Sequence, residues 1–155
     1  MGTEIERKFL LANDTWRKKI QKSTIIRQGF LNTAPERTVR IRQKGDKGFL
    51  TIKGKNEGIA RQEFEYEIPL NEAQELLNMC LPHLIEKERF IVLENDLIWE
   101  IDVFEGNNKG LIVAEVELEN IAQTIILPAW VGQEVSDDIR YYNSNLSQHP
   151  FVNWK

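Results

Sequence analysis

The chain has 155 residues, a formal net charge of −4 and a single cysteine, Cys80. That length fits one domain over residues 1–155 with a real core, and one thiol excludes an internal disulfide or a cysteine zinc cluster. The mild acidity argues against a general nucleic-acid binder, and no apolar run approaches a membrane span or a signal-peptide core, so the sequence reads as cytoplasmic, with neither nucleic acid nor membrane as partner.

Strand alternation over residues 3–11 puts Glu4, Glu6 and Lys8 on one face. Asn13-Asp14-Thr15 can cap a short helix through about Gln21, with Trp16 and Ile20 on one side. Strands are predicted over 25–31 and 38–43, the latter with Arg40 and Arg42 opposite Val39 and Ile41. Gly45-Asp46-Lys47-Gly48 reads as a hairpin turn, and it lacks the lysine-serine/threonine ending of a phosphate-cradling loop. Thr51 and Lys53 oppose Leu50 and Ile52 in a strand over 49–53. The next strand, 59–68, carries Arg61, Glu63, Glu65 and Glu67 on one face and Phe64, Tyr66 and Ile68 on the other. Ala73, Leu76, Leu77 and Cys80 then recur at helical spacing over 71–81, which makes Cys80 a small core residue.

Three more strands follow. They are 84–93 with Lys87 and Arg89, 97–104 with Glu100 and Asp102 opposite Trp99, Ile101 and Val103, and 111–118 with Glu115 and Glu117 opposite Ala114, Val116 and Leu118. Beyond Ile121 the pattern is less regular, with a turn at 128–132 and a short helix at 142–148.

The charged faces collect seven bases (Lys8, Arg40, Arg42, Lys53, Arg61, Lys87, Arg89) and eight acids (Glu4, Glu6, Glu63, Glu65, Glu100, Asp102, Glu115, Glu117), while the opposite faces are mainly apolar. Two architectures satisfy this. One is an antiparallel sheet with a wet charged face. The other is a barrel closed around its charges, which at eight strands leaves room for one small ligand. Buried charges are rare unless paired, which favours the wet sheet on pattern alone. Against it, arginine pairs such as Arg40-Ile41-Arg42 suit bidentate anion binding, and Glu-x-Glu or Glu-x-Asp pairs suit a hard divalent cation. Acid pairs and base pairs also segregate by strand, unlike the random polar residues of a solvated face, and metal-holding acids plus an arginine cluster are what a polyphosphate site needs.

Glu4-Ile5-Glu6-Arg7-Lys8 resembles the Glu-x-Glu-x-Lys signature of the triphosphate tunnel metalloenzymes, the CYTH superfamily. The likeness continues in order through Arg27-Gln28-Gly29-Phe30-Leu31, Val39-Arg40-Ile41-Arg42, Thr51-Ile52-Lys53 and Arg61-Gln62-Glu63-Phe64-Glu65. It extends through Glu86-Lys87-Glu88-Arg89, Trp99-Glu100-Ile101-Asp102-Val103-Phe104, Ala114-Glu115-Val116-Glu117, Gly132-Gln133-Glu134-Val135-Ser136 and Arg140-Tyr141-Tyr142-Asn143. One departure is Phe30, where relatives often carry tyrosine, so any bond from that phenol to substrate is absent here.

The resemblance implies a mainly β (α+β) fold, an eight-stranded antiparallel closed tunnel barrel with a few covering helices. It implies metal-dependent hydrolysis of a triphosphate, foremost inorganic tripolyphosphate. It makes Glu4, Glu6, Glu115 and Glu117 the leading metal ligands, with Glu63, Glu65 and Asp102 next, for Mg²⁺ or Mn²⁺ as two ions. Lys8, Arg40, Arg42, Lys53, Arg61 and Arg89 would clamp the phosphates. Lys87 would bind them too and assist the chemistry, by orienting water or stabilising the leaving phosphate, and Glu6 joins it as a catalytic candidate. The lining as counted sums to −1, which two divalent ions bring to +3, a suitable partner for the anion.

Class IV adenylate cyclase shares this barrel and differs in using a ribose hydroxyl as nucleophile. Thiamine or nucleoside triphosphatases and a non-catalytic polyphosphate-binding module are the other readings. The remaining polar and aromatic residues receive plainer roles. Glu67 and Glu119 lie near strand ends and are expected in solvent, His83 and His149 form no ligand pair, and Ser136 and Asp138 suit a turn or cap. Trp99, Phe64 and Tyr66 are expected to pack in the core. The barrel's apolar exterior exceeds what two or three short helices can cover, which points to a homodimer.

Overall fold

A computed structural model describes residues 2–154; Met1 and Lys155, the ends of the domain expected over 1–155, lie outside the described residues. The alternating segments form β1 (Thr3–Leu11), β2 (Ile20–Asn32), β3 (Arg37–Lys44), β4 (Lys47–Gly54), β5 (Ala60–Ile68), β6 (Ile85–Glu94), β7 (Leu97–Phe104) and β8 (Ile112–Glu117). All pair antiparallel in the order β5-β4-β3-β2-β6-β7-β8-β1. Thr3, Glu4 and Ile5 then pair with Gln62, Arg61 and Ala60, which joins β1 to β5 and closes an eight-stranded barrel. The closed architecture, not the wet open sheet, is the one adopted.

Closure of that seam is partial. β1 meets β5 only at its first residues, and further along its free edge is taken by a ninth strand, β9 (Val131–Glu134), which pairs Glu134 with Phe9 and Val131 with Leu11. Alternation does not reveal β9, because Pro128 to Gly132 carries turn residues and four residues are too few to show a period. Gly132 makes the contact feasible, since a Cβ there would stand 3.0 Å from the Leu10 carbonyl oxygen.

With charges inside, the first apolar cluster lies outside the barrel wall. Phe9, Trp99, Ile101, Ala114 and Val116 project outward from β1, β7 and β8 and are covered by Trp16 and Trp130. Trp99 meets Phe9 and Trp130 edge to face, at ring-centroid distances of 5.7 and 5.2 Å. Trp16 sits on a 3₁₀ turn, Thr15–Lys19, shorter than the helix predicted to Gln21 and anchored by Asn13, whose side-chain oxygen accepts from the Thr15 amide and hydroxyl. A second cluster sits on the inward face at one end of the barrel, where Ile85, Phe104 and Val113 share the parity of Lys87 and Asp102; with Leu111 and Leu146 it packs against Tyr141, Phe151 and Trp154 of the C-terminal segment. That segment includes α2 (Asn143–Leu146), which is shorter than the helix predicted over 142–148.

The helix α1 (Leu70–Leu77) lays Ala73 and Leu77 on Ile41. It ends before the predicted 81 because the amides of Asn78, Met79 and Cys80 tighten onto carbonyls three residues back, and Leu81 turns its amide to Phe30. Cys80 is left half-buried at the edge of that cluster. Phe64 and Tyr66 do not join a core. They share the outer face of β4 and β5 with Ile52, beyond the reach of α1, and are 43% and 56% exposed. Alternation put them opposite the charges correctly, but it carried no information on whether a layer would cover them.

The turn predicted over Gly45 to Gly48 spans only Gly45 and Asp46, and Gly48 is a buried strand residue beneath α1. A Cβ on Gly48 would stand 2.6 Å from Ala73 Cβ and 3.1 Å from the Ile68 carbonyl oxygen. Neither atom can rotate away, so Gly48→Ala is predicted to lower unfolding free energy by about 1–3 kcal/mol in urea titration.

Candidate active site

Strand register decides which charges meet inside the barrel. Four cross-strand partners pair acid with base: Glu4 with Arg61, Lys8 with Glu115, Lys53 with Glu63, and Arg89 with Asp102. Two pair acid with acid, Glu6 with Glu117 and Glu100 with Glu115. Like charges directly opposite are destabilising, and these two pairs lie side by side on β1, β8 and β7. There Glu6, Glu100 and Glu115 bring carboxylate oxygens within 4.8 Å of one another.

The protonation states follow. Burial pushes Glu6 well above the ordinary carboxylate range, and the charges of Glu115 and Glu4 add to it. Burial also opposes ionisation of Glu115, but Lys8 at 3.3 Å and Arg89 at 3.4 Å outweigh it and hold its pKa at about 2. A cation between the three carboxylates would relieve the repulsion that raises Glu6. Carboxylate oxygens converging from three strands, two half-buried and that of Glu115 buried, fit a hard divalent ion.

The other predicted metal acids are placed differently. Glu4 meets Lys53 at 3.1 Å and Arg61 at 3.6 Å, and Glu63 meets Lys53 at 3.2 Å. Glu65 is partly exposed and binds Arg40 and Thr51. Glu117 is exposed, and its pKa is raised by partial burial and by Glu4 and Glu63. Asp102 does not join the acid cluster. Its carboxylate accepts from Arg89 Nε and a terminal guanidinium nitrogen at 2.8 and 2.9 Å and from Lys87 Nζ at 2.7 Å, so its oxygens are committed to cations. Despite burial, those two bases hold it far below the usual range. In this arrangement it serves as a buried counter-ion to Lys87 and Arg89.

The bases carry the opposite imbalance. Among the described residues no carboxylate lies within 4.0 Å of Arg42, whose Nε donates to Gln28 Oε1 at 2.7 Å. Burial, Arg40 and Arg89 push its pKa well down. Arg40 has a buried Nε with no partner at all. Two buried guanidiniums with unspent donors call for an anion. Lys87 is 2% exposed, and burial together with Arg89 and Arg42 lowers its pKa to about 7, against the pull of Asp102.

These acids and bases, Asp102 excepted, line one cavity of about 240 Å³, together with Thr38 and Phe30. That is below the usual range for drug-sized ligands and suits a compact anion. Sequence reasoning counted Glu100 on the charged face but did not set it beside Glu6, because only register brings β7 across from β1. It gave no role to Gln28 or Asn143. Gln28 shares the inward parity of Ile26 and Phe30, so the signal was present, whereas Asn143 reaches the cavity from α2, where no strand parity marks it and only the Arg140-Tyr141-Tyr142-Asn143 resemblance pointed to the stretch. Ser136 accepts from the Lys8 amide and Asp138 from the Arg140 amide, the cap-like roles predicted for them, although Ser136 also lines the cavity.

A closed barrel with a carboxylate cluster facing unspent arginines defines a metal-ready anion tunnel. The CYTH domain model matches residues 2–147, and the chain belongs to that family. It is 44% identical over 156 residues to an inorganic triphosphatase of Acetivibrio thermocellus, covering 100% of this chain and 99% of the relative. It is 38% identical over 149 residues to an inorganic triphosphatase of Nitrosomonas europaea, covering 94% and 97%. A crystal structure of an inorganic triphosphatase superposes with a TM-score of 0.67 at 35% identity, covering 95% of each chain.

The raised Glu6 pKa has a stability consequence. A carboxyl whose folded pKa exceeds its unfolded value costs stability as pH rises through the window between the two. Glu6→Gln is therefore predicted to melt about 3 °C or more above the parent at pH 8 in chelator, and to lose the rise in melting temperature that Mg²⁺ or Mn²⁺ gives the parent. Differential scanning fluorimetry with and without metal checks both parts.

Proposed function

We propose that the protein is a metal-dependent triphosphatase that cleaves inorganic tripolyphosphate to pyrophosphate and phosphate inside the barrel. The observation that carries this reading is the pairing of two buried guanidiniums, Arg40 with an unpartnered Nε and Arg42 bonded through Nε to the neutral Gln28, with the like-charged carboxylates Glu6, Glu100 and Glu115 in one small cavity. A polyanion with its divalent ions resolves both imbalances at once. The small cavity favours an inorganic chain over a nucleoside or thiamine triphosphate.

In this reading Arg40, Arg42, Lys53, Arg61, Arg89 and Lys8 hold the phosphate oxygens, and the arginines stabilise charge developing there. Lys87, half neutral near pH 7, takes a proton from the attacking water as its oxygen bonds to the terminal phosphorus. The bond from that phosphorus to the bridging oxygen breaks, and its electron pair leaves with pyrophosphate. Glu6, Glu100 and Glu115 are assigned one Mg²⁺ or Mn²⁺, and Glu4, Glu63 and Glu117 a second. Such ions neutralise phosphate charge and lower the pKa of bound water. Glu65 is assigned to hold Arg40 rather than metal. A cytoplasmic location, where such ions and anions abound, fits the reading, as does a single functional domain over the whole chain.

The test is turnover of tripolyphosphate, ATP and thiamine triphosphate by purified protein, with and without Mg²⁺ or Mn²⁺, reading phosphate, pyrophosphate and cyclic AMP. Metal-dependent release of phosphate and pyrophosphate from tripolyphosphate is expected. No turnover of any substrate with metal present sinks the enzyme reading, and cyclic AMP from ATP sinks the hydrolase. In the same assay kcat should rise with pH through a limb near pH 7, and Lys87→Met should cost about 100-fold or more in kcat.

The homodimer expected from the sequence is proposed through the outer face of β4 and β5, where Ile52, Phe64 and Tyr66 form an uncovered apolar strip. Light scattering should give a dimer mass for the parent and a monomer mass for Phe64→Glu. A parent monomer at working concentration rejects it.

A further inference from the structure

Among the described residues, the cavity's base holds a chain of hydrogen bonds whose direction is forced from one end. Arg42 is donor-only, so its Nε, 2.7 Å from Gln28, must donate to the amide oxygen. That leaves the Gln28 nitrogen free to donate, and it meets Asn143 Oδ1 at 3.0 Å. Asn143 is thereby fixed with its oxygen facing inward. The same oxygen accepts from Lys87 Nζ at 3.0 Å, while Lys87 also meets Asp102 Oδ2 at 2.7 Å.

We propose that Asn143 and Gln28 are positioning residues that aim the Lys87 nitrogen at the substrate, a role that rests on the triphosphatase reading above. A neutral amine has two N–H bonds and one lone pair. Here both N–H bonds have fixed acceptors, Asp102 on β7 and Asn143 on α2, and a third tetrahedral direction is the bond to Cε. Only the fourth direction remains for the lone pair, and we assign it to the cavity that Lys87 lines. When Lys87 is protonated, its third N–H occupies that same direction. Removing the Asn143 acceptor leaves a single anchor, and the amine then rotates about its own bond and spreads the lone pair over directions that miss the water.

Gln28 has no contact with the reacting groups in this scheme, yet it is 0% exposed. A buried amide costs stability unless its hydrogen bonds are made, and a leucine would fill the same space without that cost. The amide is needed because it accepts on one side and donates on the other, and so transmits the polarity of Arg42 to Asn143.

The test uses the full chain with tripolyphosphate and Mg²⁺. Gln28→Glu keeps shape and the acceptor for Arg42 but cannot donate, so Asn143 would turn its NH₂ inward and present a donor to Lys87. Its kcat is expected to fall about 100-fold, as for misplacement of a catalytic group, with KM within about threefold. Asn143→Ala should do the same. Asn143→Asp keeps the acceptor and adds a charge beside Lys87. With Asp102, Arg89, Arg42 and Glu115 unchanged around that nitrogen, the acid limb of kcat should move up by about one pH unit or more, with recovery at high pH.

Parent turnover combined with kcat within about threefold of the parent in both Gln28→Glu and Asn143→Ala overturns the inference and leaves the triphosphatase reading standing. A kcat loss that merely tracks a lowered melting temperature, or an unmoved pH limb in Asn143→Asp, overturns it as well. Absence of turnover in the parent would instead defeat the function beneath it.

Discussion

A charged strand face turned inward in a closed barrel is the constraint on which everything else in this molecule depends. Taking a carboxylate out of water costs several kcal/mol unless cations and hydrogen bonds replace the water. Asp102, at 1% exposure, meets that condition through Arg89 and Lys87. Such pairs roughly cancel the cost of their own burial, so they hold the interior in register without supplying much net stability. The favourable term must come from elsewhere. It comes from outside the wall, where Trp16, Trp99 and Trp130 are each at most 2% exposed, and from α1 and the C-terminal segment.

The interior is not balanced everywhere, and the imbalance is local. At the base, acids and bases neutralise each other. Across β1, β8 and β7, carboxylates face carboxylates, and across β3 and β6, Arg40, Arg42 and Arg89 sit close enough to depress Arg42. Glu6 raised and Arg42 lowered are two signs of one condition, charges held together by the fold without their partners. A protein that needed only stability would replace these residues. Departures from local consistency of this kind mark functional sites, and here each departure names the charge that would relieve it: a cation at Glu6, an anion at Arg42.

Much of this was legible in the sequence because side-chain parity is a local property. Eight strands, their inward faces and the acid and base inventory all follow from alternation, and β7 matches its predicted span residue for residue. What alternation cannot carry is register, and register separates Asp102 from Glu100. Both are inward acids on the same strand two residues apart and both meet Arg89, yet one is also captured by Lys87 while the other lies beside Glu6. Phe64 and Tyr66 show the same limit from the other side. Their face was correct, but whether a layer covers it depends on where α1 ends. β9 and Asn143 fall within or beside matched family motifs but left no mark in alternation, since four edge residues and one asparagine carry no period.

The C-terminal segment is where apolar packing is converted into site geometry. Leu146, Tyr141, Phe151 and Trp154 seat it against Ile85, Phe104, Leu111 and Val113. From that seat the Tyr141 carbonyl accepts from Lys8 Nζ at 3.3 Å and Asn143 Oδ1 accepts from Lys87 Nζ at 3.0 Å. The Tyr142 hydroxyl ties the same stretch to the Ser136 carbonyl, and Ser136 in turn accepts from the Lys8 amide. Two lysines that rise from different strands are thus held by one short segment. A lysine has four rotatable bonds before its nitrogen, so the strand alone leaves that atom free over several ångströms. Fixing it takes acceptors at its far end, and those acceptors are only as rigid as the floor that carries them. The inward-charged barrel therefore needs a well-packed apolar floor for the same reason it needs its arginines: charge in a cavity does chemistry only when it is held in place.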